Sequence, residues 1–228
     1  MIESKDNLVF KNLKKLHQKK YRDQTNTFLV YGEHLIECAL RSDCVKEIFT
    51  QNPKRFGTLM SAKLMKELSQ TQTTFDRVAL CIKKENKQSD NKILALDNVQ
   101  DPDNVGALLR SASAFGFNKV ILNQECADVY NDKVIRASQG ALFDLEIIRC
   151  DLYDYLSQLD GFYIMAATTQ GSQVINKMDR IVLVVGNEGK GVSEAILSLA
   201  DANVTIKTKN VESLNVVVAA SILMYELS

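Results

Sequence analysis

At 228 residues, 46% of them hydrophobic, the chain is long enough for one large domain or two small ones with a sizeable core, and a disordered chain is excluded. No run of about 18 apolar residues occurs, and the amino-terminal MIESKDNLVFKNLKK lacks the apolar centre of a signal peptide; the expectation is a cytoplasmic protein with no membrane partner. Five cysteines without Cys-x-x-Cys spacing and two distant histidines predict reduced thiols and no metal site.

The net charge is zero but unevenly spread. Residues 1–90 carry 17 Lys and Arg against 11 Asp and Glu (net +6), and residues 91–228 carry 11 against 17 (net −6). The excess is densest in KNLKKLHQKKYR, where Lys11, Lys14, Lys15, Lys19, Lys20 and Arg22 are interleaved with Leu13, Leu16 and Tyr21. Such a segment predicts a basic helix over about 7–20. It serves either as a solvated amphipathic face or as a phosphate-binding arm that gains affinity by counterion release.

Along the chain, that helix is followed by a strand FLVYG (28–32), a helix EHLIECAL (33–40), a strand VKEIFT, a helix SAKLMKEL and a strand VALCI (78–82). The polar run KKENKQSDNK (83–92) then reads as a linker, which divides the chain into a small α/β domain, 1–90, and a second domain, 91–228. In the second domain the short apolar runs ILALDNV, KVIL, LEIIRC, FYIMAAT, IVLVVG and VTIK alternate with helical stretches. Near-continuous Ile, Val and Leu in such runs predict a parallel sheet covered on both faces. Ligands in such sheets bind beyond the carboxyl ends of the strands, so chemistry is sought in the following loops.

Three segments stand out. In DPDNVGALLRSASAFGF (101–117), Asp101 or Asp103 caps a helix, Pro102 starts it, Val105, Leu108, Leu109, Ala112 and Phe115 form its apolar stripe, and Gly116 stops it. Asn104, Gly106 and Arg110 are left over; a solvated arginine and a tolerated glycine also satisfy the stretch. In IVLVVGNEGKGVSEAI (181–196), Gly186, Gly189 and Gly191 relax the backbone after a buried strand, as a ligand loop or a tight turn requires. The spacing G-x-x-G-x-G is neither a dinucleotide fingerprint nor a P-loop, and Glu188 at its centre would repel a phosphate but could orient a cation or a hydroxyl. In NVESLNVVVAASILMYEL (210–227), Ser213 is a natural N-cap for a helix Leu214–Leu227 that is apolar on nearly every face and needs burial, as by a partner subunit.

Taken together, Asn104–Arg110 as N-x-G-x-x-x-R, the Gly186-Asn-Glu-Gly189 loop with Gly191, and Ser213-Leu-Asn215 resemble, in order and spacing, the SpoU (TrmH-like) methyltransferases of the SPOUT class. The resemblance covers residues 92–228, and the basic first domain is similar to the small RNA-binding domain that precedes the catalytic one in many members. It implies a parallel sheet with a C-terminal trefoil knot, a homodimer, and transfer of a methyl group from S-adenosylmethionine to a ribose 2′-hydroxyl of RNA, ribosomal RNA before transfer RNA. It further implies that Gly186, Ile206 and Leu214, with Asn187 and Thr168, line the cofactor, and that Asn104, Arg110, Glu188, Ser213 and Asn215 form the reaction centre. One departure stands out: members run Ile-Pro-Met and a glycine before Ser-Leu-Asn, whereas IKTKNVESLN has Lys207 for the proline, no glycine and one residue fewer. A catalytically silent RNA-binding relative is the alternative. A nucleotide-dependent metabolic enzyme would need a G-x-G-x-x-G that the chain lacks.

Overall fold

A computed structural model describes residues 1–69, 75–84, 91–172 and 178–228. The first sheet and its helices comprise α1 (Leu8–Lys15), α2 (Lys19–Thr25), β1 (Thr27–Tyr31), α3 (Glu33–Arg41), β2 (Val45–Thr50), β3 (Thr58–Leu59), α4 (Ala62–Leu68) and β4 (Arg77–Ile82). The sheet runs β1-β4-β2-β3, with β4 antiparallel to both neighbours and β3 parallel to β2. Most of the polar run 83–92 lies outside the described residues.

The second sheet begins with β5 (Lys92–Leu96) and continues through α5 (Pro102–Ala114), β6 (Lys119–Leu122), α6 (Asp132–Ala137), β7 (Glu146–Arg149), α7 (Leu152–Ser157), β8 (Tyr163–Ser172), β9 (Ile181–Val185), α8 (Glu194–Leu197), β10 (Ala202–Val204) and α9 (Val216–Leu227). The order is β10-β8-β9-β5-β6-β7, all parallel, with Leu94 level with Leu183 on one side and Val120 on the other. All five residues of β9 are buried, as its Ile-Val-Leu-Val-Val composition demands of a central strand covered on both faces.

Several expectations need correction. The basic segment is two helices, because Asn7 caps the first through Val9 and Phe10 N–H and the chain turns over Leu16–Gln18 before the second. That turn is fixed by Arg22, whose Nη1 donates to the Leu16 carbonyl at 2.7 Å while Nε and Nη2 donate to Asp128 Oδ2 at 3.0 and 2.5 Å. Arg22 is buried, so it is no phosphate ligand; it joins the two domains. The strand expected at VTIK lies earlier, at Ala202–Val204, because the pairing with β8 shifts register after Asn203 and Thr205 bonds back to Ser172 before the chain leaves the sheet. The carboxy-terminal helix starts at Val216 with Asn215, not Ser213, as its cap, the Asn215 Oδ1 accepting from Val217 N at 2.9 Å.

Gly106 is explained by packing. A Cβ there would lie 2.4 Å from Ala137 Cβ and 2.6 Å from the Val134 carbonyl oxygen, so only glycine lets α5 and α6 meet at this crossing. The two sheets share one hydrophobic core, in which Phe28, Val30 and Ile36 beside the first are continuous with Val134, Leu142 and Phe143 beside the second, and the Phe28 and Tyr130 ring centroids lie 4.7 Å apart. Breaking a buried ion pair by removing one partner leaves an uncompensated charge. Arg22→Met is expected to lower the unfolding free energy by about 3–5 kcal/mol, measured by urea titration; a loss below about 0.5 kcal/mol would show that Asp128 finds water or another donor.

Candidate active site

The loops leaving β9 and β10 and the second half of β8 surround a cavity of about 820 Å³ at the carboxyl end of the sheet. Its walls are the glycine loop 186–192, the segment 204–208, the approach to α9 at 212–216 and the residues Ala167–Thr169 after the middle of β8. All five expected cofactor residues, Gly186, Ile206, Leu214, Asn187 and Thr168, face it. Glu188, Ser213 and Asn215 of the expected reaction centre do so too.

The glycines shape the loop in different ways. A Cβ on Gly186 would lie 2.1 Å from the Gly191 carbonyl carbon, so the strand end and the returning loop touch backbone to backbone. Gly191 has φ +72°, which a glycine adopts without strain. Asn187 and Gly191 exchange both backbone hydrogen bonds, at 3.0 and 2.9 Å. The Asn187 side chain is committed to the loop itself: Oδ1 accepts from Gly189 and Lys190 N–H at 3.0 and 3.1 Å, and Nδ2 donates to the Asn98 carbonyl at 2.9 Å. It shapes the wall, and a Cβ added to Gly189 beside it would meet nothing closer than Asn187 Oδ1 at 3.7 Å.

A line of side chains crosses the rim. Asn215 Nδ2 donates to Asn104 Oδ1 at 3.3 Å, and Asn104 Nδ2 donates to Glu188 Oε1 at 3.0 Å. Glu188 also accepts from Asp101 N at 3.3 Å and Gln100 N at 3.5 Å, so a carboxylate from the glycine loop closes the start of α5. Asp101 caps α5 from within, its carboxylate accepting from Asp103 N at 2.8 Å. Partial burial pushes the Glu188 carboxyl up, but the hydrogen bonds from Asn104 and the nearby backbone N–H groups outweigh it and hold the group below its ordinary value of 4.5. Asn104 is thus joined to the cavity through both neighbours although it is not part of the wall. Arg110 is not brought to this cavity: it is exposed on α5, off the wall, with no ion-pair partner among the described residues.

The sequence reading missed Asp97. This buried carboxylate accepts from Asn98 Nδ2 at 2.9 Å, Asn123 Nδ2 at 3.0 Å and Ser193 N at 2.7 Å, and so ties together the loops after β5, β6 and β9. The signal was an aspartate ending the apolar run ILAL, where burial obliges a carboxylate to find donors.

An α/β fold with a parallel sheet and a ligand-sized cavity among the loops at its carboxyl end defines a small-molecule-binding enzyme domain. Residues 91–225 match the SpoU rRNA Methylase family and residues 7–79 match an MRM3-like substrate binding domain. The chain belongs to the SpoU rRNA methylase family. It is 38% identical to the 23S rRNA (guanosine(2553)-2′-O)-methyltransferase RlmP of Bacillus subtilis, over 99% of this chain and 98% of that one. The crystal structure of an AdoMet-bound rRNA methyltransferase from Sinorhizobium meliloti is similar with a TM-score of 0.88 at 26% identity, covering 99% of this chain and 96% of that one. That of an RNA 2′-O ribose methyltransferase is similar with a TM-score of 0.82 at 28% identity, covering 99% and 97%.

Two predictions follow from the hydrogen bonds. Asp97→Asn turns one acceptor into a donor facing donors, and is expected to cost about 1.5–3 kcal/mol of stability, read from urea unfolding; an unchanged midpoint would refute the tie. For Glu188, a carboxyl depressed in the folded chain adds stability that is present above the ordinary value of 4.5 and lost as pH falls through the folded value. The stability difference between wild type and Glu188→Gln is therefore expected to be constant near neutrality and to vanish toward low pH, and a difference that instead grows on acidification would reverse the assignment.

Proposed function

We propose that the chain transfers a methyl group from S-adenosylmethionine to the ribose 2′-hydroxyl of a guanosine in 23S ribosomal RNA. The observation that carries this is the Asn215–Asn104–Glu188 line of hydrogen bonds on the rim of a cavity sized for a small-molecule cofactor. The 38% identity to RlmP over nearly the full chain favours 23S rRNA over transfer RNA.

The residues fit the cofactor. Gly186 leaves no room for a side chain between the strand end and the loop, so ligand contact on this wall falls to backbone groups, while Val185, Val204, Ile206, Leu214 and Leu223 supply apolar wall. Gly186, Ile206 and Leu214 would hold it, with Thr168 and the Asn187-braced turn closing the sides. When bound, the cofactor supplies a methyl already activated as a sulfonium.

What remains for the protein is the nucleophile, since a ribose hydroxyl is a weak acid whose developing alkoxide must be stabilised or whose proton must be removed. Glu188, held below the ordinary carboxylate range by its donors, is a weaker base than a free carboxylate and serves to orient Asn104. Asn104 and Asn215 hold the ribose side of the site, Ser213 offers its hydroxyl from the wall, and the proton leaves to water or to a substrate phosphate. Arg110, a planar guanidinium with donors and no acceptor, acts as a cationic donor to the alkoxide or an adjacent phosphate.

Arg110 lies off its own chain's cavity, and a second copy supplies the arrangement that uses it. On α9, Val218, Ile222 and Tyr225 are 48%, 39% and 64% exposed, a stripe at helical spacing. The helix is joined to α5 through Ser111–Ser221 at 2.8 Å and Phe115–Tyr225 rings 6.0 Å apart, so Arg110 stands beside this apolar face. Pairing of two such faces makes a homodimer and places each Arg110 at a shared reaction centre. The loops 186–192 and 205–215, wrapped on one cavity, are the part of the chain we assign to the C-terminal trefoil knot.

Residues 1–90 form the RNA substrate-binding domain and 91–228 the methyltransferase domain in this reading. Lys15 and Lys20 are exposed without a carboxylate partner among the described residues, whereas Lys11, Lys14 and Lys19 are paired with Asp6, Glu67 and Asp23 at 2.7, 2.6 and 2.8 Å. Such exposed pairs are weak, so phosphates can displace the carboxylates. No helix among the described residues is long and apolar enough to cross a membrane, and an RNA-modifying role supports a cytoplasmic location.

Methyl transfer from labelled S-adenosylmethionine to an unmodified 23S rRNA transcript, with the blocked 2′ position mapped, tests the proposal. Gly186→Ala is expected to abolish cofactor binding in calorimetry, Arg110→Lys to lower kcat by about 10²–10³-fold, and Ile222→Lys to give monomers with little activity. Cofactor binding without transfer to any RNA would favour a silent RNA-binding relative, and full activity of Arg110→Lys would remove the special guanidinium role.

A further inference from the structure

Phe56 is 83% exposed, at the tip of the loop 51–57 between β2 and β3. Because β1 and β2 both run antiparallel to β4, this loop shares one end of the first sheet with the start of α3 and the beginning of β4. The loop is clamped at its base. Gln51 N and Nε2 donate to the Asp76 carbonyl and carboxylate at 3.1 and 2.6 Å, Asn52 Oδ1 accepts from Lys54 N at 3.0 Å, and Arg55 N donates to the Asn52 carbonyl at 3.0 Å. Gly57 takes φ +138° where a Cβ would sit 2.8 Å from the Ile48 carbonyl oxygen, so the returning chain is pressed onto β2. A clamped turn therefore presents a phenyl ring to water, and among the described residues no ring pairing or core cluster uses it.

Three cations lie near it, Lys54, Arg55 and Arg77, with carboxylates of Glu33 and Asp76 at the base of the loop. Arg55 and Arg77 both donate to Glu33, at 3.3 and 2.6 Å, so a single carboxylate answers two guanidinium groups, and Lys54 is exposed with no carboxylate partner among the described residues. A flat aromatic ring on a braced turn, preceded in sequence by Lys54 and Arg55, is the chemistry by which proteins take an unpaired nucleotide: the ring stacks on the base and the cations meet the phosphates.

We infer that the loop 51–57 is a substrate-recognition finger in which Phe56 stacks on an unpaired base of the RNA substrate while Lys54 and Arg55 contact its backbone. This rests on the RNA substrate proposed above and adds which part of the first domain reads it and what feature it reads, an unstacked base in a loop or bulge.

The chain contains no tryptophan, so Phe56→Trp introduces a single fluorescent reporter at the tip. Titration with an unmodified 23S rRNA transcript is expected to quench its emission. Phe56→Ala and Phe56→Leu are expected to raise Kd and KM for the transcript about 5–150-fold, with kcat at saturating RNA and the affinity for S-adenosylmethionine unchanged. Lys54→Gln is expected to reduce the slope of log affinity against log salt by about one. If the wild type methylates the transcript while Phe56→Trp emission is unmoved at saturation or Phe56→Ala has wild-type KM, the inference is overturned and the functional proposal stands. Loss with assembled large-subunit particles but not with naked transcript also overturns it, in favour of a protein contact. If the wild type neither binds nor methylates any RNA, the functional proposal falls first and takes the finger with it.

Discussion

The candidate site depends on one buried carboxylate. Strands of a parallel sheet have no hairpins to hold their ends together, so the loops that leave their carboxyl ends must be fixed by something other than the ladder. Asp97 does this by accepting from Asn98, Asn123 and the backbone N–H of Ser193, which come from the loops after β5, β6 and β9. A carboxyl group at 2% exposure is tolerated only because donors replace its water. Asn98 takes φ +61° in this arrangement and offers its carbonyl to Asn187, which in turn braces the glycine loop. From Asp97 to the cavity wall the connection is unbroken.

Glu188 shows how the same loop governs charge at the rim. Its carboxylate accepts the backbone N–H groups of Gln100 and Asp101, beside the positive end of α5, and the Asn104 amide. Those donors favour the ionised form over the protonated one. A standing negative charge at the mouth of a cavity favours a cationic ligand and disfavours a phosphate, which is why a glycine-rich loop of this spacing differs in function from a phosphate cradle. A sulfonium is the kind of ligand that such a rim suits.

Much of this was readable in the residues. The buried strands announced themselves as unbroken Ile, Val and Leu, and the Asp101-Pro102 start of α5 followed from capping chemistry. The parts that were not readable depend on partners distant in the chain. Arg22 looked like one more cation in a basic run, and only the fold brings Asp128, 106 positions away, against it. Gly106 was left over once the helix stripe was assigned, and the atoms that approach it belong to Val134 and Ala137 of α6. Ser213 and Asn215 are both competent caps two residues apart; Asn215 is the one used, and its amide also donates to the Asn104 side-chain Oδ1, a partner 111 positions away.

The charge asymmetry of the chain is therefore spent in two ways. Arg22 meets Asp128, and Lys83 lies 4.7 Å over the Tyr130 ring, so part of the basic half neutralises or covers the acidic half across a shared core. That docking fixes the remaining exposed cations at a set displacement from the glycine loop. A substrate held by backbone charge alone could slide along such a surface, since phosphates repeat every nucleotide. Selecting one ribose among many requires a contact that does not repeat, and a docked domain carrying base-reading groups would measure the distance from that contact to the reacting hydroxyl.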